Sequence, residues 1–280
     1  MQLFNKKLDH IFSNKQAIKI ISGIDNINVK NILEYIRACE ASKSTYIDII
    51  ANPNIVSFIK KQTSIPICVS SINAQSLYDS VLAGADLVEI GNFDVFYNRG
   101  MILSPQQIFS IAQQVKSLLP STDICITIPH IFTLNQQIEL ALKLEDLGIN
   151  MIQTEGNTSK VTYSDLINKN LMTDNVCNSI LSSSSSLSSV YFLSNAVKIP
   201  IIAASNINSL TAPIAFAYGA SGIGMKSELS RLSNISEMSL RISEIMSSFN
   251  VNNRNLNYSN INIISKNYDS GLNKSIFYGF

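Results

Sequence analysis

Residues 83–90 read Ala83-Gly84-Ala85-Asp86-Leu87-Val88-Glu89-Ile90, a glycine followed within a few residues by an apolar run. The same junction returns as LGINMIQT at 147–154 and as YGASGIGM at 218–225. Glycine accepts the left-handed conformation that ends a helix, and each run behind it has the composition of a buried strand. Near-copies of one helix-to-strand junction are an internal repeat.

Working outward, further apolar runs occur at Ile18–Ile21, Tyr46–Ile50, Ile67–Val69, Ile124–Ile128 and Ile201–Ala204, each separated from the next by helical pattern. Near-continuous apolar strands alternating with helices indicate a parallel sheet covered by helices on its outer side. Eight such units predict an α/β fold, a single (β/α)8 TIM barrel over residues 17–249. Residues 1–16 read as an N-terminal lead-in with a short helix, and 250–280 as a loosely ordered, Asn-rich C-terminal tail with late aromatics Tyr268, Phe277, Tyr278 and Phe280. Asn26 or Asn28, Pro53 and Ser104-Pro105 mark helix starts. One stretch breaks the rhythm. After Glu155-Gly156-Asn157-Thr158 come about thirty polar residues ending in Ser182–Ser186, which read as a long functional or unstructured connection.

Composition narrows the classes of function. The 280 residues carry a net charge of +1, which favours neither nucleic acid nor an anionic membrane as partner. No apolar stretch reaches the roughly 18 residues of a membrane span, and the N-terminus lacks the apolar segment of a signal peptide. The four cysteines, Cys39, Cys68, Cys125 and Cys177, form no C-x-x-C, and Cys68 and Cys125 sit in strands where a thiol acts as a small hydrophobe. A soluble protein of a reducing compartment is expected, without a thiolate or His-rich metal site; His10 and His130 are its two histidines. The absence of Trp and the surplus of Asn, Ile, Ser and Lys read as genomic bias.

Polar residues inside barrel strands are costly unless paired, so they locate the chemistry. Lys19, Asp48, Glu89, Thr127, Gln153 and Thr154 interrupt apolar runs, and Asp94, His130 and Glu155 follow strand ends, on the face where barrels build active sites. Lys19 and Asp48 lie on neighbouring strands and can meet, as a structural ion pair or as a proton-transfer unit. A close carboxylate raises a lysine pKa, so general acid or anion binder ranks above imine formation for Lys19. Glu89, Glu155 and Asp94 are carboxylate candidates for proton transfer or divalent-metal binding, and His130, after Pro129, is the candidate general base or a loop-orienting group. Backbone N–H groups after strands seven and eight often hold phosphate. The corresponding residues are Ser205 and Asn206, then Gly224, Met225, Lys226 and Ser227, where Ser227 can open a short helix.

The segments IKIISGIDN, STYIDIIANP, LVEIGNFDVFY, ITIPH, MIQTEGNTS and IIAASNINSLTAPIAFAYGASGIGMKS resemble the uncharacterised hypothetical chloroplast reading-frame family of red-algal plastids and cyanobacteria, with plant relatives. The resemblance runs from about residue 3 to 247 and excludes the serine run and the tail. It implies a plastid location, reached without a transit peptide, and a likeness to aldolase-type phosphate-binding barrels; it brings no activity or cofactor with it. The family has glycine near Asn206 and Lys226, where this chain departs. Together these features predict a barrel that binds or transforms a small metabolite, phosphorylated or not, as an aldolase-like lyase or isomerase. The alternative is a non-catalytic metabolite sensor or interaction protein, and an oligomer is compatible with either.

Overall fold

Strand residues of alternating fate build the barrel. The computed structural model describes residues 3–91, 93–97, 99–156 and 175–249, and of 175–178 only the backbone. The order is α1 (Lys6–Ser13), β1 (Ala17–Ile21), α2 (Val29–Ser42), β2 (Tyr46–Ile50), α3 (Pro53–Lys60), β3 (Ile67–Ser70), α4 (Ala74–Leu82) and β4 (Leu87–Ile90). It continues with α5 (Asp94–Tyr97), α6 (Pro105–Leu118), β5 (Asp123–Ile128), α7 (Leu134–Asp146), β6 (Met151–Thr154), α8 (Asn175–Ala196), β7 (Ile201–Ala203), α9 (Ala212–Ala217), β8 (Gly222–Met225), α10 (Ser227–Ser230) and α11 (Ile235–Phe249). All eight strands pair in parallel with their sequence neighbours, and β8 closes on β1 with Gly224 opposite Lys19. The expected TIM barrel is therefore the observed fold.

Side chains on a strand alternate between faces. Ile18, Ile20, Ile47, Ile49, Ile124, Ile126 and Ile152 are buried in the core shared with the helices. Their neighbours Ala17, Tyr46, Cys68, Leu87, Cys125, Met151 and Ile202 form a separate apolar core inside the barrel. Leu8 and Phe12 of α1, with Leu3, join that inner core. The lead-in is thus the stopper of the barrel's N-terminal end. The Asp123 carboxylate fixes it by accepting hydrogen bonds from the main-chain N–H groups of Phe4 and Asn5, both at 2.9 Å. Burial raises the Asp123 pKa, against the pull of these two bonds.

Local chemistry starts and stops the helices. Asn5, Asn28, Asn52 and Asn73 each cap a helix through the side chain, and Ser104 with Gln107 and Thr133 with Gln136 form capping boxes. The asparagine surplus read as genomic bias therefore has a structural use. Gly84, Gly148 and Gly219 have positive φ, and the residue after each donates to the carbonyl five positions back: Ala85 to Ser80, Ile149 to Leu144 and Ala220 to Ala215. That is the Schellman closure at all three repeated junctions. Lys43, φ 59°, makes the same closure without glycine, with Ser44 bonded to Cys39.

The serine run corrects the sequence expectation. Ser182–Ser186 are helical, inside α8, rather than part of an unstructured connection. Residues 157–174 and the tail at 250–280 lie outside the described residues. Serine tolerates the helix because its hydroxyls bond back to it: Ser183 Oγ reaches the Ser179 carbonyl at 2.8 Å and Ser184 Oγ the Leu181 carbonyl at 2.9 Å. Ser186 meets Thr154 of β6 at 2.7 Å, and Ser189 donates to Gln137 of α7 at 2.8 Å.

The stopper can be tested. Phe12→Ala should lower the unfolding free energy by about 3–5 kcal/mol, because it empties a buried aromatic site. Leu82→Ala, at a side chain 70% exposed, should stay within about 0.5 kcal/mol of the parent. Equal effects in urea titrations would contradict the plugged barrel.

Candidate functional site

Above the apolar inner core comes a layer of charge. The Lys19 ammonium lies inside the barrel against Glu89 Oε2, 3.3 Å from Asp48 Oδ2, and donates to Gln153 Oε1 at 3.0 Å. Glu89 Oε1 accepts from Thr127 Oγ1 and Gln153 Nε2, each at 2.9 Å, and Asp48 Oδ1 accepts from Ser70 Oγ at 2.6 Å. Lys19 and Glu89 are wholly buried. Burial alone would lower the Lys19 pKa, but the charges of Asp48 and Glu89 outweigh it and hold it well above its ordinary value. Burial pushes Glu89 up, against the opposing pull of Lys19. An ammonium held this firmly is a poor imine nucleophile, which requires a lowered pKa. Gln153 has its orientation fixed by these charges: its oxygen must face the ammonium and its nitrogen the carboxylate.

Gln153 and Thr127 are also the buried end of a cavity of about 200 Å³ at the C-terminal mouth. Gly224 leaves the room for it. A Cβ there would stand 3.0 Å from Ile21 Cδ1 and 3.1 Å from the Ala204 Cβ, both of which line the same space. Lys19, Asp48 and Glu89 do not line the cavity themselves; they reach it through Gln153 and Thr127.

The cavity edge is formed by Ser205, Asn206, Lys226 and Ser227. Ser205 and Asn206 adopt φ of 76° and 57°, two consecutive non-glycine residues in the left-handed region. Such conformations cost about 1–2 kcal/mol per residue and persist only where surrounding structure imposes them. Asn206 thus takes the conformation a glycine would take. Lys226, at φ −129°, does not need one. Met225 turns its side chain into the core shared with the helices and does not line the cavity. The helix opened by Ser227 is a single turn.

Glu155, directly after β6, also lines the cavity. Its Oε2 accepts from the Tyr97 hydroxyl at 2.6 Å, from the His130 main-chain N–H at 3.2 Å and from His130 Nδ1 at 3.0 Å. A carboxylate only accepts, so in this contact Nδ1 carries the hydrogen. The Tyr97 and His130 rings meet edge to face at 5.6 Å. Burial, and then the Glu155 charge, raise the Tyr97 pKa, so it remains a phenol donor. Asp94 completes the rim, with its carboxylate 3.5 Å from Lys226 Nζ. The structure therefore gathers the predicted residues into two groups. Lys19, Asp48, Glu89, Thr127 and Gln153 form the lower one; Asp94, His130, Glu155, Ser205, Asn206, Lys226 and Ser227 form or adjoin the upper one. Thr154 lines the cavity but spends its hydroxyl on Ser186. Tyr97 and Ser70 were not foreseen; Tyr97 closes the LVEIGNFDVFY segment, the one sequence signal that pointed near it.

Removing the buried cation should be severe. Lys19→Met leaves two enclosed carboxylates without their ammonium and should cost about 3–5 kcal/mol of stability. The Lys19 pKa is raised on folding, so its contribution is complete below the unfolded value of about 10.4 and is lost as pH rises through the folded value. The stability gap between parent and Lys19→Met should narrow in acid, where the enclosed carboxylates of the variant take up protons, and again in alkali, where Lys19 loses its charge. A gap under about 1 kcal/mol would mean that the layer does not depend on this charge.

Comparison with known proteins agrees with this architecture. The family described as "Protein of unknown function (DUF561)" matches residues 3–255. "Uncharacterized protein ycf23" of Antithamnion sp. is 52% identical over 263 residues, covering 92% of this chain and 95% of that protein. The protein of the same name from Porphyra purpurea is 37% identical, covering 91% and 94%. Among solved structures, thiamine phosphate pyrophosphorylase from Pyrococcus furiosus superposes with a TM-score of 0.53 at 16% identity, covering 85% of this chain and 96% of that one. 3-Hexulose-6-phosphate synthase gives 0.55 at 10% identity, covering 83% and 99%. These structures share the fold, and the sequence match is what decides kinship: the chain belongs to the DUF561 family, together with the ycf23 proteins.

Proposed function

We propose that this barrel binds and transforms a compact phosphorylated metabolite in the cavity at its C-terminal mouth, by proton transfer of the kind used by isomerases, lyases and aldolases. The observation that carries this reading is the pair of left-handed residues Ser205 and Asn206, on the same cavity edge as Lys226 and Ser227. Consecutive residues in such turn conformations bring main-chain N–H groups together into an anion-binding concavity. Lys226 adds a full charge beside it. The names of the two structural neighbours refer to phosphorylated compounds, an analogy of fold that agrees with this reading without deciding it.

Proton transfer falls to Glu155 and His130. Glu155 lines the cavity, and His130 is tied to it. Lys19, Asp48 and Glu89 are closed off below and act through Gln153 and Thr127, whose positions they fix. An interaction barrel with a mouth stopped by apolar side chains would not offer this lining. We place the protein in the plastid, supported by the family resemblance and by relatives of the same name in Antithamnion, Porphyra purpurea and Cyanophora paradoxa.

Inorganic phosphate should raise the melting temperature of the parent in a concentration-dependent way at about 10–50 mM, through mass action on the folded state. Lys226→Gly separates two modes of binding. If the shift persists, the backbone of Ser205 and Asn206 holds the anion; if it disappears, the ammonium does. A parent whose melting temperature does not respond to phosphate or sulfate argues against the anion site altogether.

A further inference from the structure

The charges of the cavity do not balance for a phosphate alone. Among the described residues its walls hold two carboxylates, Asp94 and Glu155, and one ammonium, Lys226. Lys226 already faces Asp94, at 3.5 Å. The layer beneath places two carboxylates around a single ammonium, so it adds no positive charge to spare. A phosphate docking on Lys226 breaks the pair with Asp94 and leaves both wall carboxylates opposed to an anion. Glu155 strengthens the point. Its Oε2 takes every hydrogen bond that the described residues give it, and Oε1 takes none of them, although the side chain is only 5% exposed. Glu155 lines the cavity, so a cationic donor on a ligand would meet a carboxylate there.

A ligand that brings its own cation resolves this charge imbalance. It exchanges one ion pair for two, with its phosphate against Lys226 and its ammonium against the carboxylates. We propose that the cavity is built for a zwitterion, a short amine phosphate whose phosphate lies along Ser205, Asn206 and Lys226 and whose protonated amine lies between Glu155 Oε1 and Asp94. This rests on the phosphate reading above and adds to it the second recognition group. The cavity volume of about 200 Å³ restricts such a ligand to a short chain.

The test is calorimetric titration of the full chain with inorganic phosphate, hydroxyethyl phosphate and phosphoethanolamine. The last two differ only by a hydroxyl in place of the amine. The parent should bind phosphoethanolamine about tenfold more tightly than hydroxyethyl phosphate, the size of one added charge-assisted hydrogen bond. Glu155→Gln should bring that ratio close to one while inorganic phosphate still binds. Asp94→Asn should tighten inorganic phosphate, since Lys226 loses its competitor, and should narrow the ratio. Asp94 stands on the rim, so this variant reads the ratio even if Glu155→Gln proves unstable. Equal affinity of the parent for the two esters, or an unchanged ratio in both variants, overturns the amine and leaves the phosphate reading standing. No affinity for any of the three compounds overturns both.

Discussion

An ammonium shut inside a barrel has to find its counter-charges within reach of its own side chain, because burial takes it out of bulk solvent. Lys19 does so through Asp48 on the next strand, Glu89 two strands further on, and Gln153 on the opposite side of the barrel. Four strands are thereby tied at one level by interactions that fail if any of them shifts register. A slip of one residue in β2 would turn Asp48 outward among the isoleucines and bring an isoleucine to the ammonium. The layer is thus a constraint on register as much as a source of stability. It also fixes the floor of the cavity, since Gln153 and Thr127 belong to both.

Along the barrel axis the interior changes character in three steps. At the N-terminal end it is apolar, stopped by Leu3, Leu8 and Phe12. In the middle it is ionic and buried. At the C-terminal end it is polar and hollow. The middle layer separates the two ends, so the stopper can serve stability alone while the mouth keeps strained and partly exposed groups. The barrel thiols follow the same division. Cys68 and Cys125 lie in the inner core, where burial raises their pKa well above the ordinary value and leaves them as packing groups.

How much of this was legible in the sequence depends on the range of the interaction. The strands were readable because burial on both faces makes them apolar throughout, and Lys19, Asp48 and Glu89 stood out against that background. Their depth was not readable. It follows from the stagger between strands, which a closed barrel sets globally and no local pattern records. Tyr97 escaped because it sits on a single helical turn, too short for periodicity, and is defined by a bond to Glu155 that lies 58 positions away in sequence. Asn206 takes a left-handed backbone that asparagine accepts more readily than most residues, whereas Ser205 has no such preference and nothing local in the sequence marks it. At Lys226, where the family has glycine, the backbone is not left-handed, so a side chain fits without that strain.

The serine run and the strained loop explain each other. Ser205 and Asn206 hold unfavourable φ values only because something outside the loop imposes them. That support is α8. Asn206 Nδ2 donates to the Ser182 carbonyl at 3.2 Å, and Asn208 Nδ2 to Ser179 Oγ at 3.0 Å. Gly156, at the end of β6, passes so close that a Cβ on it would stand 2.8 Å from that of Ser205. Small side chains on α8 let the loop come near, and serine keeps the approach polar without adding bulk. Leucine or isoleucine at Ser183 or Ser186, both fully buried, would force the helix away from β6 and β7. A composition that reads as low complexity is, at this face, what allows a helix to lie against strand ends and hold the cavity edge in a conformation it would not adopt alone.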